Sequence, residues 1–347
     1  MTAETTPCTP AQYRALEQFL ARESRAVAVS IHSASLLSGG AVQESWRVDA
    51  EFAGGTRSGR HALVLRTDAP TRLAASLARP QEFAVLRAAH RAGVLVPEPL
   101  FCCADPGVLG RPFFVMTWMP GATSGAALVR NDEAEDRRGG IAARLAQELA
   151  RIHAITPPHA DLTAALGEAL PDPAASRLRL YRSWLDEFHD PHPVAEWALR
   201  WLDREKPPTQ EIGLCHGDFR TGNYLVDENG PTAILDWEFA AWGDPHEDIG
   251  WFCCKSWRFG ALDREAGGLV GRDRFYRAYE ARSGRSLDPR RLLYWEVMAS
   301  LRWLILALQQ RDRFLRGGER SLALALTGRR PAECEFEILR LIDAGTL

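Results

Sequence analysis

Hydrophobic and polar positions change period several times along this chain. Residues 10–23 (PAQYRALEQFLARE) space their apolar side chains three and four apart, the period of an amphipathic helix, with Thr9 placed to cap it. The period then drops to two. Residues 27–31, a run through Trp46, Val48 and Phe52, and residues 61–66 (HALVLR) read as strands. A glycine turn at 36–40 (LLSGG) and a Gly-rich hairpin loop at 53–60 separate them. Residues 81–92 return to helical spacing and stop at Gly93, a glycine suited to end a helix. Residues 97–103 and 112–118 are two further strands around a turn at 105–110. Five strands and one helix make a small antiparallel lobe. Met119, Pro120 and Gly121 break the pattern, so the domain boundary falls there, giving 1–119 and 120–347.

Beyond the break the chain is mostly helical. Residues 140–154 carry Leu145, Leu149 and Ile152 on one stripe. Residues 156–173 form a Pro-rich connection. Helices are expected at 175–188, 193–206, 272–282, 289–313, 319–327 and 332–341. The exception is the stretch 214–252. There the apolar runs 224–226 and 233–235 flank the turn Asp-Glu-Asn-Gly-Pro, which predicts a short hairpin. The hairpin would hold Asp218 and Asn223 just before its first strand and Asp236 just after its second. Three oxygen ligands then converge at one end of a rigid clip. A base and two oxygen donors for Mg²⁺ are what transfer of a phosphoryl group to a hydroxyl requires.

Composition narrows the setting. The 347 residues suffice for one large or two medium domains; 46% are hydrophobic and 25% charged, an ordinary globular balance. A net charge of -3 supplies no basic field for nucleic acid or an anionic membrane, so neither partner is expected. The longest apolar run, 303–308, is far too short to cross a bilayer. Seven cysteines, including the neighbours Cys102-Cys103 and Cys253-Cys254, show no CxxC spacing. Together with an N-terminus that lacks an apolar leader, they suggest a reduced, cytoplasmic protein. The basic residues are Arg except for Lys206 and Lys255.

His216-Gly217-Asp218, Asn223 five residues on from the aspartate, and Asp236 after an apolar strand resemble the aminoglycoside phosphotransferase-like kinases, small-molecule relatives of the protein kinases. The glycine turn, Arg66, Glu82 and the 116–121 hinge follow the same order, so the resemblance covers nearly the whole chain. The wording ILDWEFAAWGDPHEDIGW is most similar to the branch that includes the kinase-like domain of some acyl-CoA dehydrogenases. The resemblance implies an α+β, protein-kinase-like two-lobed fold, with an antiparallel five-stranded N-lobe that binds nucleotide and a mainly helical C-lobe that carries the catalytic loop and the acceptor. It implies ATP and Mg²⁺, and a small-molecule hydroxyl as acceptor, in some members a hydroxyacyl-CoA thioester. Asp218 looks like the catalytic base; Asn223 and Asp236 look like the metal ligands. Ser38, Gly39 and Gly40 would lie over the nucleotide phosphates. Glu82 would orient the strand-three cation, here Arg66 where these kinases generally carry Lys. The backbones of Thr117 and Met119 would meet the adenine edge, and Asp248 would brace the catalytic loop.

Other residues carry two readings each. His216 reads as a core histidine bracing the loop. Glu238 shares a face with Asp236 if strand alternation continues, which would make it a further metal or substrate ligand. Asp244 caps the following helix, with Pro245 at its first position. Cys215 sits in an apolar run with no third member for a nucleophilic set. Lys255, Trp257 and Arg258 either form a solvated basic face or supply cations and an aromatic for an anionic or CoA-linked acceptor. Arg302, with Trp303, could join them or pair with Glu296. Two rivals stay open: an aminoglycoside-type antibiotic kinase, whose polycationic acceptor calls for an acid-rich pocket, and a nucleotide-binding pseudokinase or regulatory module. The sequence leaves the oligomeric state open.

Overall fold

A computed structural model describes residues 10–37, 43–68, 76–123, 125–130, 135–319 and 321–345. Its first layer is a sheet whose period-two pattern sorts side chains to two faces. Strands β1 (Ala28–Leu36), β2 (Gln43–Ala53), β3 (Gly59–Asp68), β4 (Pro99–Cys103) and β5 (Phe113–Thr117) form one antiparallel sheet in the order β1-β2-β3-β5-β4. On β3, Leu63 and Leu65 turn toward α1 (Pro10–Ser24), where Leu16, Phe19 and Leu20 complete a core with Trp46, Val48 and Phe52. Val64 turns to the other face and packs with Val85, Leu86 and Ala89 of α2 (Arg79–Arg91). Arg66 shares that second face by the same alternation. The central strand therefore presents a cation toward α2, opposite Ser45 on β2 and Phe114 on β5.

The sequence expected a plain turn at 105–110. A short helix α3 (Pro106–Leu109) occupies it, capped by the Asp105 carboxylate, which accepts from the Gly107 N–H at 2.8 Å. After the sheet come α4 (Gly125–Arg130) and α5 (Glu135–His153), which buries Ile141, Leu145, Leu149 and Ile152 as one stripe. The Pro-rich connection holds a further helix, α6 (Ala160–Leu166), seated by buried Leu162 and Ala165. Helices α7 (Pro173–Leu185) and α8 (Pro193–Arg204) follow.

Strand β6 (Gly213–Cys215) enters the loop of residues 216–223. The expected hairpin is β7 (Tyr224–Asp227) with β8 (Gly230–Ile234), and β9 (Ala241–Gly243) returns to pair with β6. Helix α9 (Pro245–Cys253) starts at Asp244, whose carboxylate accepts from the His246 N–H at 3.0 Å. Helices α10 (Arg272–Ser283), α11 (Pro289–Leu315), α12 (Leu322–Thr327) and α13 (Pro331–Ala344) complete the body. Helix α11 is long and apolar enough to cross a membrane by length and composition, but 72% of its most apolar window is buried against its neighbours. It contributes Leu301, Leu304, Ile305 and Leu308 to a core shared with α8 and α13. Helix α9 lies so close to α11 that a Cβ on Gly250 would stand 2.7 Å from the carbonyl carbon of Trp295.

Candidate functional site

The site is built where the face of the sheet bearing Arg66 meets the hairpin. The Arg66 side chain is buried and forked. Its Nε lies 2.9 Å from Glu82 Oε1 on α2, its NH2 donates to Asp236 Oδ1 at 2.9 Å, and its NH1 reaches Ser45 Oγ at 3.4 Å. Burial is the largest influence on this guanidinium and works against its charge. The carboxylates of Glu82, Asp236 and Glu238 outweigh it and raise the pKa above the ordinary arginine value. Behind it stands Arg79, fully buried, with its Nε 2.9 Å from Asp68 Oδ1 and its NH1 on the second oxygen of Glu82. Glu82 thus bridges two buried arginines. The sequence pointed to Arg66 and Glu82 and missed Arg79. Its spacing of three from Glu82 on one helix was the available signal.

The loop before the hairpin is held at its backbone. Asp248 on α9 accepts the His216 N–H at 2.6 Å and the Gly217 N–H at 2.9 Å, and meets His153 Nε2 of α5 at 3.2 Å. Burial would push the Asp248 carboxyl up, but His153, His216 and the Gly217 N–H hold it below the usual aspartate value. Gly217 has φ 76°, and a Cβ there would stand 2.1 Å from the Phe239 carbonyl oxygen, so only glycine fits between His216 and Asp218. His216 is fully buried. Its Nε2 lies 2.9 Å from the Leu235 carbonyl, which can only accept, so Nε2 carries the proton and Nδ1 accepts the Asp218 N–H at 3.2 Å. Burial lowers its pKa, consistent with a neutral brace.

The Asp218 carboxylate is gripped at both oxygens. Oδ1 accepts the Trp251 indole N–H at 2.8 Å; Oδ2 accepts Asn223 Nδ2 at 2.6 Å and lies 3.3 Å from Arg220 Nε. A carboxylate cannot donate, so the Asn223 amide must turn its NH₂ to Asp218, leaving its oxygen for another partner. The Leu235 N–H donates to the Asn223 carbonyl at 2.8 Å, which ties the start of the hairpin to its end. There Asp236 takes the left-handed conformation, φ 62°, ψ 60°, a conformation rare outside glycine that costs about 1–3 kcal/mol and persists where a site imposes it. Its side chain is 39% exposed. Burial raises its pKa, but Arg66 and Arg220 together hold it below the usual aspartate value. The Asn223 amide oxygen and the partly open Asp236 carboxylate, at the two ends of the hairpin, are hard-oxygen donors of the kind Mg²⁺ takes.

Between sheet and hairpin lies a cavity of about 500 Å³ lined by Arg66, Met116, Met119, Leu225 and Asp236 among others. Met119 and Thr117 both border it, but the Thr117 N–H already donates to the Glu98 carbonyl at 3.0 Å, and its hydroxyl accepts the Glu98 N–H at 2.9 Å. Thr117 therefore stitches β5 to the segment before β4, and its N–H is committed within the protein. Ser38, Gly39 and Gly40 lie outside the described residues.

Three of the acceptor-side expectations need correction. The strand ends at Asp236, and a 3₁₀ turn (Trp237–Phe239) follows, so alternation does not carry Glu238 onto Asp236's face. Glu238 is buried among Arg66, Glu82 and Arg79, and burial, the largest cause, helps push its carboxyl up to about 7. Arg258 is also buried. It donates to the Cys253 carbonyl at 2.7 Å and to Glu296 at 2.9 Å, because the buried Glu296 of α11 needs cations beside it. Lys255 points toward α13, 3.6 Å from Glu337 and over the Phe336 ring. Only Trp257 of that group faces the loop, with the Arg220 guanidinium 4.6 Å from its ring centre. Arg302 of α11 turns to the loop before Asp218, while Glu296 is paired with Arg258 and Arg272. It lies 4.3 Å over the Trp251 ring and donates to the Gly217 carbonyl at 2.5 Å. Arg220 and Arg302, each stacked on a tryptophan, are the cations beside Asp218.

An antiparallel sheet folded over a helical body, with acidic and amide oxygens presented at the seam, defines a protein-kinase-like fold. Residues 34–293 match the phosphotransferase enzyme family, and the chain belongs to that family. A structure from Ralstonia eutropha JMP134, assigned as an aminoglycoside phosphotransferase, is similar over 94% of this chain and 98% of its own, with a TM-score of 0.76 and 20% identity. A thermostable mutant of aminoglycoside phosphotransferase APH(4)-Ia, in a ternary complex with ADP and hygromycin B, is similar over 95% and 99%, with a TM-score of 0.61 and 19% identity. At such identity the likeness speaks to the fold. Among curated proteins, acyl-CoA dehydrogenase family member 10 of Mus musculus is 29% identical over 200 residues, covering 56% of this chain and 18% of that protein. Family member 11 of Homo sapiens is 27% identical over 179 residues, covering 50% and 22%. The match thus spans about a fifth of the length of these relatives.

Proposed function

We propose that this protein is an ATP-dependent kinase that transfers the γ-phosphoryl group to a hydroxyl of a small molecule carrying an anionic group. One observation supports this above the rest: the Asp218 carboxylate is bonded to the Asn223 amide, the hairpin ties Asn223 to the residue before Asp236, and Asp236 lines one cavity with the Arg66–Glu82 pair it contacts. In this reading the nucleotide-binding lobe ends near residue 119. The cavity takes the adenosine, with Met119 at its edge, and Arg66 meets the phosphates. Asn223 and Asp236 would hold Mg²⁺, which when bound would offset charge on the transferring group. Asp218 orients the acceptor hydroxyl and accepts its proton as oxygen attacks phosphorus. The rate gain comes from positioning and electrostatics.

The acceptor preference rests on Arg220 and Arg302. Both flank Asp218, both are stacked on indoles, and a polycationic aminoglycoside would meet them with like charge. CoA-linked hydroxy compounds are the first class to test, since the relatives named above are acyl-CoA dehydrogenase family members. Radiolabelled phosphate should pass from ATP to members of a hydroxyacyl-CoA and hydroxy-acid panel. Asp218→Asn should lower that transfer by about 10²–10⁴-fold. Transfer that survives Asp218→Asn, or transfer only to kanamycin-type acceptors, would overturn the reading.

A further inference from the structure

We infer that Trp251 is a positioning residue for Asp218, fixing the carboxylate from behind through its indole N–H. The inference rests on the reading of Asp218 as the group that meets the acceptor hydroxyl. Aspartate χ2 is a soft torsion. A carboxylate held only at Oδ2, by Asn223 and Arg220, could still swing about that oxygen. The Trp251 N–H at 2.8 Å pins the other oxygen and so fixes the carboxylate plane. The ring that delivers it is itself closely packed. It is 2% exposed, with Trp257 at 5.2 Å on one side and the Arg302 guanidinium 4.3 Å over its face. Arg302 also donates to the Gly217 carbonyl, one residue before Asp218.

The placement follows from one turn of α9. Asp248 and Trp251 are three residues apart and share a helix face. The first accepts the loop's backbone N–H groups, and the second donates to its carboxylate. The plainer reading makes Trp251 mere filling in the cluster with Trp257 and Trp303. That cluster does not require paired indoles, since the buried Nε1 atoms of Trp257 and Trp303 have no hydrogen-bond partner among the described residues. Trp251 differs from both in that its N–H is aimed at Asp218.

Trp251→Phe keeps most of the ring and removes the N–H. With MgATP as substrate and water as acceptor, ADP formation should show kcat reduced about tenfold with KM for ATP within about twofold of the parent, since a hydrogen bond to a charged group has been lost. An unchanged kcat would overturn the inference. So would a kcat loss matched by equal loss of nucleotide binding and thermal stability. A second measurement is independent of turnover and of whether that variant folds. In the amide and indole ¹H–¹⁵N spectrum, one strongly downfield resonance among the eleven tryptophans should move upfield in Asp218→Ala. Indole resonances that stay in place would sink the inference. A wild-type protein that shows this shift but passes no phosphate from ATP to water or to any member of the hydroxyacyl-CoA and hydroxy-acid panel would instead overturn the kinase reading and leave the contact standing.

Discussion

Asp248 shows what a single buried carboxylate can organise. It accepts two consecutive backbone N–H groups and faces His153, so it fixes the loop on which Asp218 sits. Because its folded pKa is depressed, its contribution to stability is present above the ordinary aspartate value of 3.8 and is lost as pH falls through the lower folded value. Urea denaturation between pH 6 and about pH 2 should therefore show a steeper acid loss in the parent than in Asp248→Asn. At neutral pH the variant should be the less stable protein, by about 1–3 kcal/mol, because two buried donors lose a charged acceptor. Equal acid limbs would remove Asp248 from this role. Residues at fixed local offsets, such as Asp218, Asn223 and Asp236, were legible in the sequence because one hairpin holds them all. Trp251 and Arg302 were visible as residues, but their partners lie 33 and 85 positions away, beyond what spacing can report. Lys255 drew attention by its rarity, and rarity carries no direction in space.

At the scale of elements, alternation along strands and the helical stripes were the reliable guides. The five strands, the hairpin and the helices of the core all follow from them. Errors arose where an element ends. The chain leaves β8 through a left-handed aspartate into a 3₁₀ turn, and Glu238 goes with it. Proline-rich composition hid α6, whose two buried apolar residues are too few to mark a period. The joint between β3 and α2 depends on a pair of arginines around Glu82, and only one was anticipated. Arg79→Met should destabilise the fold by about 3 kcal/mol, the cost of leaving Asp68 and one oxygen of Glu82 without a buried partner. Chemical denaturation measures it, and a change below about 1 kcal/mol would mean that Arg66 alone satisfies Glu82.

For the whole molecule, the proposed reading makes the seam between sheet and helical body the place where ligand binding and folding meet. A nucleotide that binds only the folded state at a hundred times its Kd adds about 2.7 kcal/mol of stability. AMP-PNP should raise the melting midpoint, and Mg²⁺ should raise it further. In Asp236→Ala the nucleotide's share should persist while the Mg²⁺ increment disappears, as read from melts with Mg²⁺ and with EDTA. An increment that survives the substitution would take Asp236 out of the metal site.

Arg66 and Asp236 join residues 170 positions apart across that seam. Asp236 therefore already has a resident cation, and a divalent ion would enter by exchange. Its apparent affinity would depend on where the displaced guanidinium goes as well as on the oxygens that receive the metal. A polyphosphate offers Arg66 a new anion at the same moment, so metal and nucleotide would be expected to load together more readily than either alone.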